Sequence, residues 1–169
     1  MQLRRLWPAL TAIVAVSVLA VPAAQADPAA LDFTTTWVNH NSGKCLEIAD
    51  SYTYDGARAQ QWTCDSSVLT QHWYMHGVGA AWELRNSNSG KCLEIADSYT
   101  YDGARAQQWT CDGSATQQWY WVQWGGEPGY RLINKNSGKC LEIADSYTYD
   151  GARAQQWRCD GGVGTQQWH

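Results

Sequence analysis

The sequence of 169 residues has one phenylalanine, two methionines and four prolines, and beyond residue 26 it has no long apolar run. A membrane-spanning helix needs roughly 20 apolar residues, so residues 27–169 are not expected to insert into a membrane. They also sustain no apolar stripe at helical spacing over three turns, which argues against a helical fold. The cysteines form no Cys-x-x-Cys motif and the histidines do not recur with them, so neither a metal site nor a cofactor is expected.

Basic residues are scarce as well. Residues 27–169 carry ten basic and sixteen acidic side chains, a net charge of about −6. Such a charge argues against nucleic acid or anionic lipid as the partner. The sequence also has no repeated Ser/His/Asp set and no glycine-rich phosphate loop, so the common nucleophilic and nucleotide-dependent enzymes are not expected.

The first 26 residues have the features of a secretory signal peptide. Arg4 and Arg5 precede an apolar run at 9–21, and residues 24–26 read Ala-Gln-Ala, the small-x-small form of a cleavage site. The mature chain is therefore predicted to begin at Asp27 and to be secreted. The paired arginines leave twin-arginine export open beside the general secretory route.

Six cysteines lie in the mature part as three pairs, each 19 residues apart. An even number of cysteines in an exported chain indicates disulfides, and the repeated spacing favours local pairing. The predicted pairs are Cys45 with Cys64, Cys92 with Cys111, and Cys140 with Cys159.

One long segment occurs three times. The 25 residues at 41–65 recur without change at 88–112 and, with Arg158 in place of threonine, at 136–160. Each copy is followed by a second Gln-x-Trp, at 71–73, 117–119 and 166–168. Residues 27–169 are thus predicted to form one domain of three repeats of about 47 residues, with approximate bounds 31–78, 79–125 and 126–169.

Each repeat has the pattern of about four short strands. The segments TTTWVNH, KCLEI, ARAQQWTC and QHWYMH of the first repeat are rich in β-branched, aromatic or alternating residues, and ADSYTYDG has the composition of a loop. Propellers typically need four to eight blades, so three all-β units that share one core favour a β-trefoil with pseudo-threefold symmetry.

The two Gln-x-Trp motifs of each repeat have different neighbours. Because residues i and i+2 of a strand share a face, Gln60 and Trp62 are predicted to lie on one face, and so are Gln71 and Trp73. Trp73, Trp119 and Trp168 have large apolar neighbours and are expected in the core. Trp62, Trp109 and Trp157 end polar runs, which favours an exposed platform over burial against the adjacent disulfide.

The order of these motifs resembles the ricin B-chain type lectins and carbohydrate-binding modules. Gly-Lys-Cys-Leu-acid is followed by Asp-Gly-Ala, then by Gln-x-aromatic before the second cysteine, and then by Gln-x-Trp. The resemblance covers residues 31–169 in three registers. It implies a β-trefoil that binds sugars and is not an enzyme.

The resemblance also implies which residues bind the sugar. In the family, a carboxylate two residues after the first cysteine binds the sugar, and an aromatic residue stacks on the sugar ring. One glutamine lies beside the aromatic residue, and the glutamine of the final Gln-x-Trp lies near the sugar. Asp50, Asp97 and Asp145 are candidates for a second carboxylate contact. The implied residues are Glu47, Gln60, Trp62 and Gln71 in the first repeat, Glu94, Gln107, Trp109 and Gln117 in the second, and Glu142, Gln155, Trp157 and Gln166 in the third.

Two departures from the family pattern bear on the ligand. Galactose-binding members usually have Asp where this chain has Glu47 and its counterparts, and many relatives have Asn where this chain has Thr70, Thr116 and Thr165. The first change moves the carboxylate and the second replaces an amide by a hydroxyl, so galactose is not the default ligand.

Tyr52, Tyr54 and their counterparts are candidates to contact a second sugar unit. Three near-identical sites indicate multivalent binding to a polysaccharide or to cell-surface glycans.

Two other functions remain open at this stage. Glu47 and Asp50 are candidates for a glycosidase pair, although an enzyme seldom repeats its site three times. A β-trefoil protease inhibitor would present one irregular loop, for which residues 121–130 are the candidate. Calcium at DSYTYDG is not expected, because the segment lacks the ligand spacing of a calcium loop.

Overall fold

The computed structural model describes residues 32–123 and 129–169. Within these ranges the secondary structure consists of short strands and single 3-10 turns. The strands are β1 Phe33–Thr35, β2 Cys45–Ile48, β3 Ala59–Trp62, β4 Trp73–Val78, β5 Ala81–Asn86, β6 Cys92–Ile95, β7 Ala106–Trp109, β8 Gln118–Gln123, β9 Tyr130–Asn134, β10 Cys140–Ile143 and β11 Ala154–Trp157. The turns are Ala49–Ser51, Ala96–Ser98 and Ala144–Ser146 after the cysteine strands, and Leu69–Gln71, Ala115–Gln117 and Gly164–Gln166 before the final Gln-x-Trp tryptophans.

Each repeat contains the same antiparallel hairpin, formed by β2 and β3, by β6 and β7, and by β10 and β11. In the first hairpin Cys45 is paired with Trp62 and Glu47 with Gln60, and the other two have the same register. Since side chains alternate across a strand, Leu46 and Ile48 enter the core while Glu47 lies on the other face. The hairpin therefore places a carboxylate, a glutamine and a tryptophan on one surface.

The three hairpins meet around a pseudo-threefold axis. One backbone N–H of each hairpin donates to a carbonyl of another, at 2.9 Å in all three cases: Gln61 to Ala152, Gln108 to Ala57, and Gln156 to Ala104. The strands β1, β4, β5, β8 and β9 continue as one antiparallel sheet. This arrangement confirms the β-trefoil that the repeats predict.

The core is centred on the tryptophans of the final Gln-x-Trp motifs, as predicted. Trp73, Trp119 and Trp168 are fully buried, and each indole N–H donates to a backbone carbonyl, as from Trp73 to Leu46 at 3.0 Å. A second aromatic cluster holds Trp37, Trp82, Trp121 and Phe33, with ring centroids 5.5–6.1 Å apart. The central indoles of Trp73, Trp119 and Trp168 thus fill the interior and also satisfy buried carbonyls, which a phenylalanine could not do.

The three predicted disulfides are present, and they join Cys45 to Cys64, Cys92 to Cys111, and Cys140 to Cys159. Each ties the start of one hairpin strand to the second residue after the end of the other strand. In the described ranges no helix has the length and apolar character needed to cross a membrane.

The prediction that Gln71 and Trp73 share a face is wrong. Gln71 ends a 3-10 turn and Trp73 begins a strand, so the alternation of an extended chain does not apply across this pair. Gln71 bonds to Glu47 on the pocket side, whereas the Trp73 indole enters the core. The first predicted strand is also shorter than expected, because β1 ends at Thr35 and only Val38 and Asn39 form further isolated bridges.

Candidate functional site

An open pocket lies beside Trp62 in the first repeat. The indole is 44% exposed, and Glu47, Gln60 and Gln71 line the same pocket with the exposed residue Asp50. The structure therefore brings together all five residue positions predicted for this site. Thr70, named from the sequence as a departure from the family pattern, and the disulfide-bonded Cys64 also line the pocket. Sequence reasoning did not name Ser51, Thr63, Asp65 and Val68, which line it as well.

A buried carboxylate forms the base of the pocket. Glu47 is 6% exposed, and both of its oxygens accept hydrogen bonds, from Gln60 Nε2 at 2.8 Å and from Gln71 Nε2 at 3.0 Å. Gln71 is fixed in turn, because its Oε1 accepts from the Asp65 backbone N–H and its Nε2 donates to the Thr63 carbonyl. The carboxylate thus has a set orientation and retains lone pairs that can accept hydroxyl groups.

The same network recurs in the other two repeats. Gln107 and Gln117 donate to Glu94 at 2.7 and 3.1 Å, and Gln155 and Gln166 donate to Glu142 at 2.8 and 2.9 Å. The tryptophans of these sites, Trp109 and Trp157, are 41% and 37% exposed. Asp97 and Asp145 line the corresponding pockets.

The second pocket is the smallest of the three. The volumes are about 370 Å³ in the first repeat, 210 Å³ in the second and 390 Å³ in the third. The segment from the second cysteine to the pocket glutamine is one residue shorter in the second repeat, and Ser114 lines the pocket there, where Val68 and Val163 line the other two. Burial raises the pKa of the Glu94 carboxyl, while hydrogen bonds from Gln107 and Gln117 act in the opposite direction.

The backbone beside each pocket adopts a strained conformation. Asp50 and Ser51 both have φ of 53°, and the equivalent pairs in the other repeats have φ of 54–57°. This left-handed region is uncommon for residues other than glycine, and Asp is among the side chains that tolerate it. The turn directs the chain around the pocket edge and keeps Asp50 exposed there.

The loop after this turn packs on another repeat, a contact that sequence reasoning missed. Asp150 of the third repeat accepts hydrogen bonds from the Thr63 backbone N–H at 2.8 Å and forms an ion pair with Lys44 at 2.6 Å. Asp55 and Asp102 make the equivalent contacts to Lys91 and Lys139. These lysines lower the pKa of each of the three carboxyls. The loop has the same sequence in all three repeats. This identity was the available signal for such a contact, because a loop without contacts has no physical reason to keep its sequence.

The described residues bear on two of the alternatives, a metal site and a protease-inhibiting loop. Glu83 Oε2 lies 3.8 Å from Cys92 Sγ, but Cys92 is disulfide-bonded to Cys111 and so offers no thiolate to a metal. In the segment 121–130, considered for protease inhibition, residues 124–128 lie outside the described residues, as does the predicted signal peptide 1–26.

Comparison with known proteins gives one matching family model, described as ricin-type beta-trefoil lectin domain-like. It matches residues 31–109, 69–157 and 115–169. Comparison with curated proteins finds no significant match.

Solved structures agree with the family model. The designed 3-fold symmetric protein ThreeFoil is 34% identical over 80% of this chain and 96% of its own, with a TM-score of 0.77. The exo-beta-1,3-galactanase 1,3Gal43A from Clostridium thermocellum is also 34% identical, over 79% of this chain but 28% of the enzyme, with a TM-score of 0.73. The Rhizoctonia solani agglutinin shares the fold at 16% identity, 85% and 96% coverage, and a TM-score of 0.72. This chain therefore belongs to the ricin-type beta-trefoil lectin domain-like family.

Proposed function

We propose that this protein is a secreted lectin with up to three carbohydrate sites of the same design, one in each repeat, and with no catalytic activity of its own. The observation that carries the proposal is the threefold recurrence of one arrangement. In each open pocket a tryptophan that is 37–44% exposed lies beside a buried glutamate held by two glutamines.

The arrangement suits the two surfaces of a sugar. The C–H face of a pyranose ring packs on an indole, and its hydroxyls hydrogen-bond to carboxylates and amides, each bond contributing about 1 kcal/mol net. In the first site Trp62 supplies the platform, Glu47 supplies an oriented acceptor, and Asp50 supplies a second carboxylate. Gln60 and Gln71 orient Glu47 and line the same pocket.

The ligand is proposed to be a polysaccharide or a glycan-coated surface. A single site of about millimolar affinity contributes about 4 kcal/mol, and linked sites gain about 10²- to 10⁴-fold in apparent affinity when the geometry allows. The name of the galactanase neighbour makes β-1,3-galactan one polymer to include in a test. Because this chain has Glu47 where galactose-binding members usually have Asp, the test must also include polymers of other sugars.

Secretion is proposed from the leader at 1–26 and is consistent with the three disulfides, which persist in oxidising compartments. The mature chain would begin at Asp27 and form one domain of three repeats. Its acidic charge disfavours nucleic acid as a partner, and we propose no membrane insertion.

A glycan and polysaccharide array tests the proposal. Oxidised residues 27–169 are compared with a variant in which Trp62, Trp109 and Trp157 are all changed to alanine. Val122→Ser is the control, because Val122 is 37% exposed and lines none of the three pockets. We expect the parent and the control to bind one defined set of glycans and the triple variant to bind none while remaining folded by circular dichroism.

Equal binding by the parent and the triple variant would refute the tryptophan platform. Binding by none of the three proteins would refute the lectin proposal and leave protease inhibition through residues 121–130 to be tested. Release of reducing sugar from any bound polymer would refute the absence of catalysis.

A further inference from the structure

The loop that contains the paired tyrosines packs against the tryptophan-bearing strand of another repeat. In the third repeat the carbonyls of Tyr147 and Tyr149 accept hydrogen bonds from Gln61 Nε2 of the first repeat, at 2.9 and 3.1 Å. The Gly151 N–H donates to the Gln61 carbonyl at 2.9 Å. The loop is therefore anchored at the residue that immediately precedes Trp62.

The same loop reaches Trp62 itself. A Cβ atom at Gly151 would lie 3.7 Å from Cζ3 of the indole, so the glycine backbone adjoins the edge of the platform. On the other side of Trp62, Thr63 is bonded to Asp150. Both chain neighbours of the tryptophan, and the tryptophan itself, thus contact one loop that lies more than eighty residues away in sequence.

The tyrosine rings of this loop are exposed. Tyr147 is 43% and Tyr149 55% exposed, and their ring centroids are 4.9 Å apart. Tyr149 lies two residues before Gly151, which limits its backbone to about 7 Å from that glycine. An exposed aromatic pair therefore lies close to the exposed indole of the proposed sugar site. The other two repeats repeat the arrangement: residues 52–56 adjoin Gln108 and Trp109, and residues 99–103 adjoin Gln156 and Trp157.

We propose that each carbohydrate site is shared by two repeats, and that the tyrosine pair binds further units of the same sugar chain. Trp62 would then act with Tyr147 and Tyr149, not with Tyr52 and Tyr54 of its own repeat. This inference rests on the proposed function and specifies its ligand as an oligosaccharide or polysaccharide rather than a single sugar.

The chemistry of the surface supports a chain as the ligand. One indole covers about one sugar ring, so a monosaccharide leaves the tyrosines unused. The two tyrosine rings add stacking surfaces and hydroxyl groups that can bind the sugar units next to the one on the indole. Affinity should therefore rise with chain length until the tyrosines are covered and then stop rising.

The symmetry of the molecule provides a matched control for this idea. In a single-site background, Trp109→Ala and Trp157→Ala leave only the Trp62 site. Onto this background are placed either Tyr147→Ser with Tyr149→Ser, the pair from the third repeat, or Tyr52→Ser with Tyr54→Ser, the pair from the same repeat. The two variants lose identical side chains with nearly identical exposure. They differ in whether the pair lies on the loop bonded to both chain neighbours of Trp62 or on the loop that follows Ser51 of the same repeat.

Calorimetric titration uses galactose and β-1,3-linked galactose oligomers of two to six units, with the xylose and N-acetylglucosamine series in parallel. We expect the background affinity to rise about tenfold from the monosaccharide to the oligomer in the series that binds. The Tyr147/Tyr149 variant should lose this rise and keep its monosaccharide affinity, and the Tyr52/Tyr54 variant should keep both. Thermal unfolding of each protein checks that the pocket remains folded.

Three results would overturn the shared site while leaving the lectin proposal intact. The first is an affinity independent of chain length in the background. The second is loss of the length dependence in the Tyr52/Tyr54 variant, and the third is its retention in both variants. If the background binds no sugar of any series, the Trp62 site itself is refuted, and the shared site with it.

Discussion

Two rings of tryptophans surround the same threefold axis and have opposite surroundings. Trp73, Trp119 and Trp168 are completely buried, whereas Trp62, Trp109 and Trp157 are 37–44% exposed. Both sets of tryptophans belong to Gln-x-Trp motifs, so the motif alone does not determine whether a tryptophan is buried. The buried tryptophans come just after a 3-10 turn, and their N–H groups satisfy core carbonyls. The exposed tryptophans end a hairpin strand whose outer face carries polar groups. The comparison teaches that burial depends on the secondary-structure element in which the motif begins.

Substitution by alanine should separate the two rings most clearly. Trp119→Ala removes a buried indole and leaves the Leu93 carbonyl unpaired, so we expect a loss of about 3–5 kcal/mol in the free energy of unfolding. Trp109→Ala should cost about 0.5–1 kcal/mol, because much of its side chain already contacts water. Urea denaturation of both variants measures the difference. Equal losses would show that the exposed ring is structural.

Gln71 connects the pocket to the backbone around it and offers a second test. Gln71→Leu removes the donor to Glu47 and to the Thr63 carbonyl and the acceptor for the Asp65 N–H. Since buried groups left unpaired cost about 1–3 kcal/mol, we expect a loss of about 2 kcal/mol in stability and loss of sugar binding at the first site. Gln123→Leu, at an exposed strand position, should change neither quantity. Binding that survives Gln71→Leu would contradict an oriented Glu47.

Acid should weaken the contacts between the repeats before it affects the core. Lysine partners lower the pKa of Asp55, Asp102 and Asp150 below their ordinary value of 3.8. Each pair therefore contributes stability above about pH 4 that is lost as the pH falls through the folded-state pKa. Changing all three to asparagine should lower the melting temperature by a few degrees at pH 7, and less at pH 2.

Melting curves measured between pH 2 and 7 test this expectation. Asp32 and Asp65 also have a lowered pKa, because Tyr74 and Ser67 respectively donate hydrogen bonds to their carboxylates. The melting temperature of the triple asparagine variant should therefore still fall in acid, but by less than that of the parent. If the melting temperatures of variant and parent fall in parallel from pH 7 to pH 2, the three ion pairs contribute nothing to the acid dependence of stability.

The smallest expected effect is a difference among the three sites. The second pocket has a volume of about 210 Å³, against about 370 and 390 Å³ for the other two. Three proteins that each retain one of the exposed tryptophans should bind the same oligosaccharide, with the Trp109 protein several-fold weaker. Its binding should also weaken as the pH falls toward the raised pKa of Glu94. Identical affinities at all pH values would show that the smaller volume does not matter.

Much of this molecule follows from its sequence because the three copies constrain one another. The repeat predicts the trefoil and the local disulfides, and the apolar or polar company of each tryptophan predicts its burial. The i, i+2 rule predicts the surface shared by Gln60 and Trp62, and it holds there because β3 is a regular strand. It fails for Gln71 and Trp73 because Leu69–Gln71 forms a 3-10 turn that periodicity does not reveal.

The contacts between repeats were beyond sequence reasoning for a different reason. Identical copies make it impossible to tell from the letters whether Asp55 bonds within its own repeat or to Lys91 of the next. Pocket size depends likewise on how the shorter segment before Gln117 is accommodated. Both are properties of the packed chain, not of any one repeat.

The contacts between the repeats all run in one direction around the threefold axis. The first repeat's loop contacts the second, the second's contacts the third, and the third's contacts the first, so the circle closes after three units. A peptide of one repeat would have every donor and acceptor needed to bind a copy of itself, and a cyclic homotrimer of such peptides would reproduce every one of these junctions. The loop bonds therefore have the cyclic pattern of a symmetric trimer, here closed within a single polypeptide.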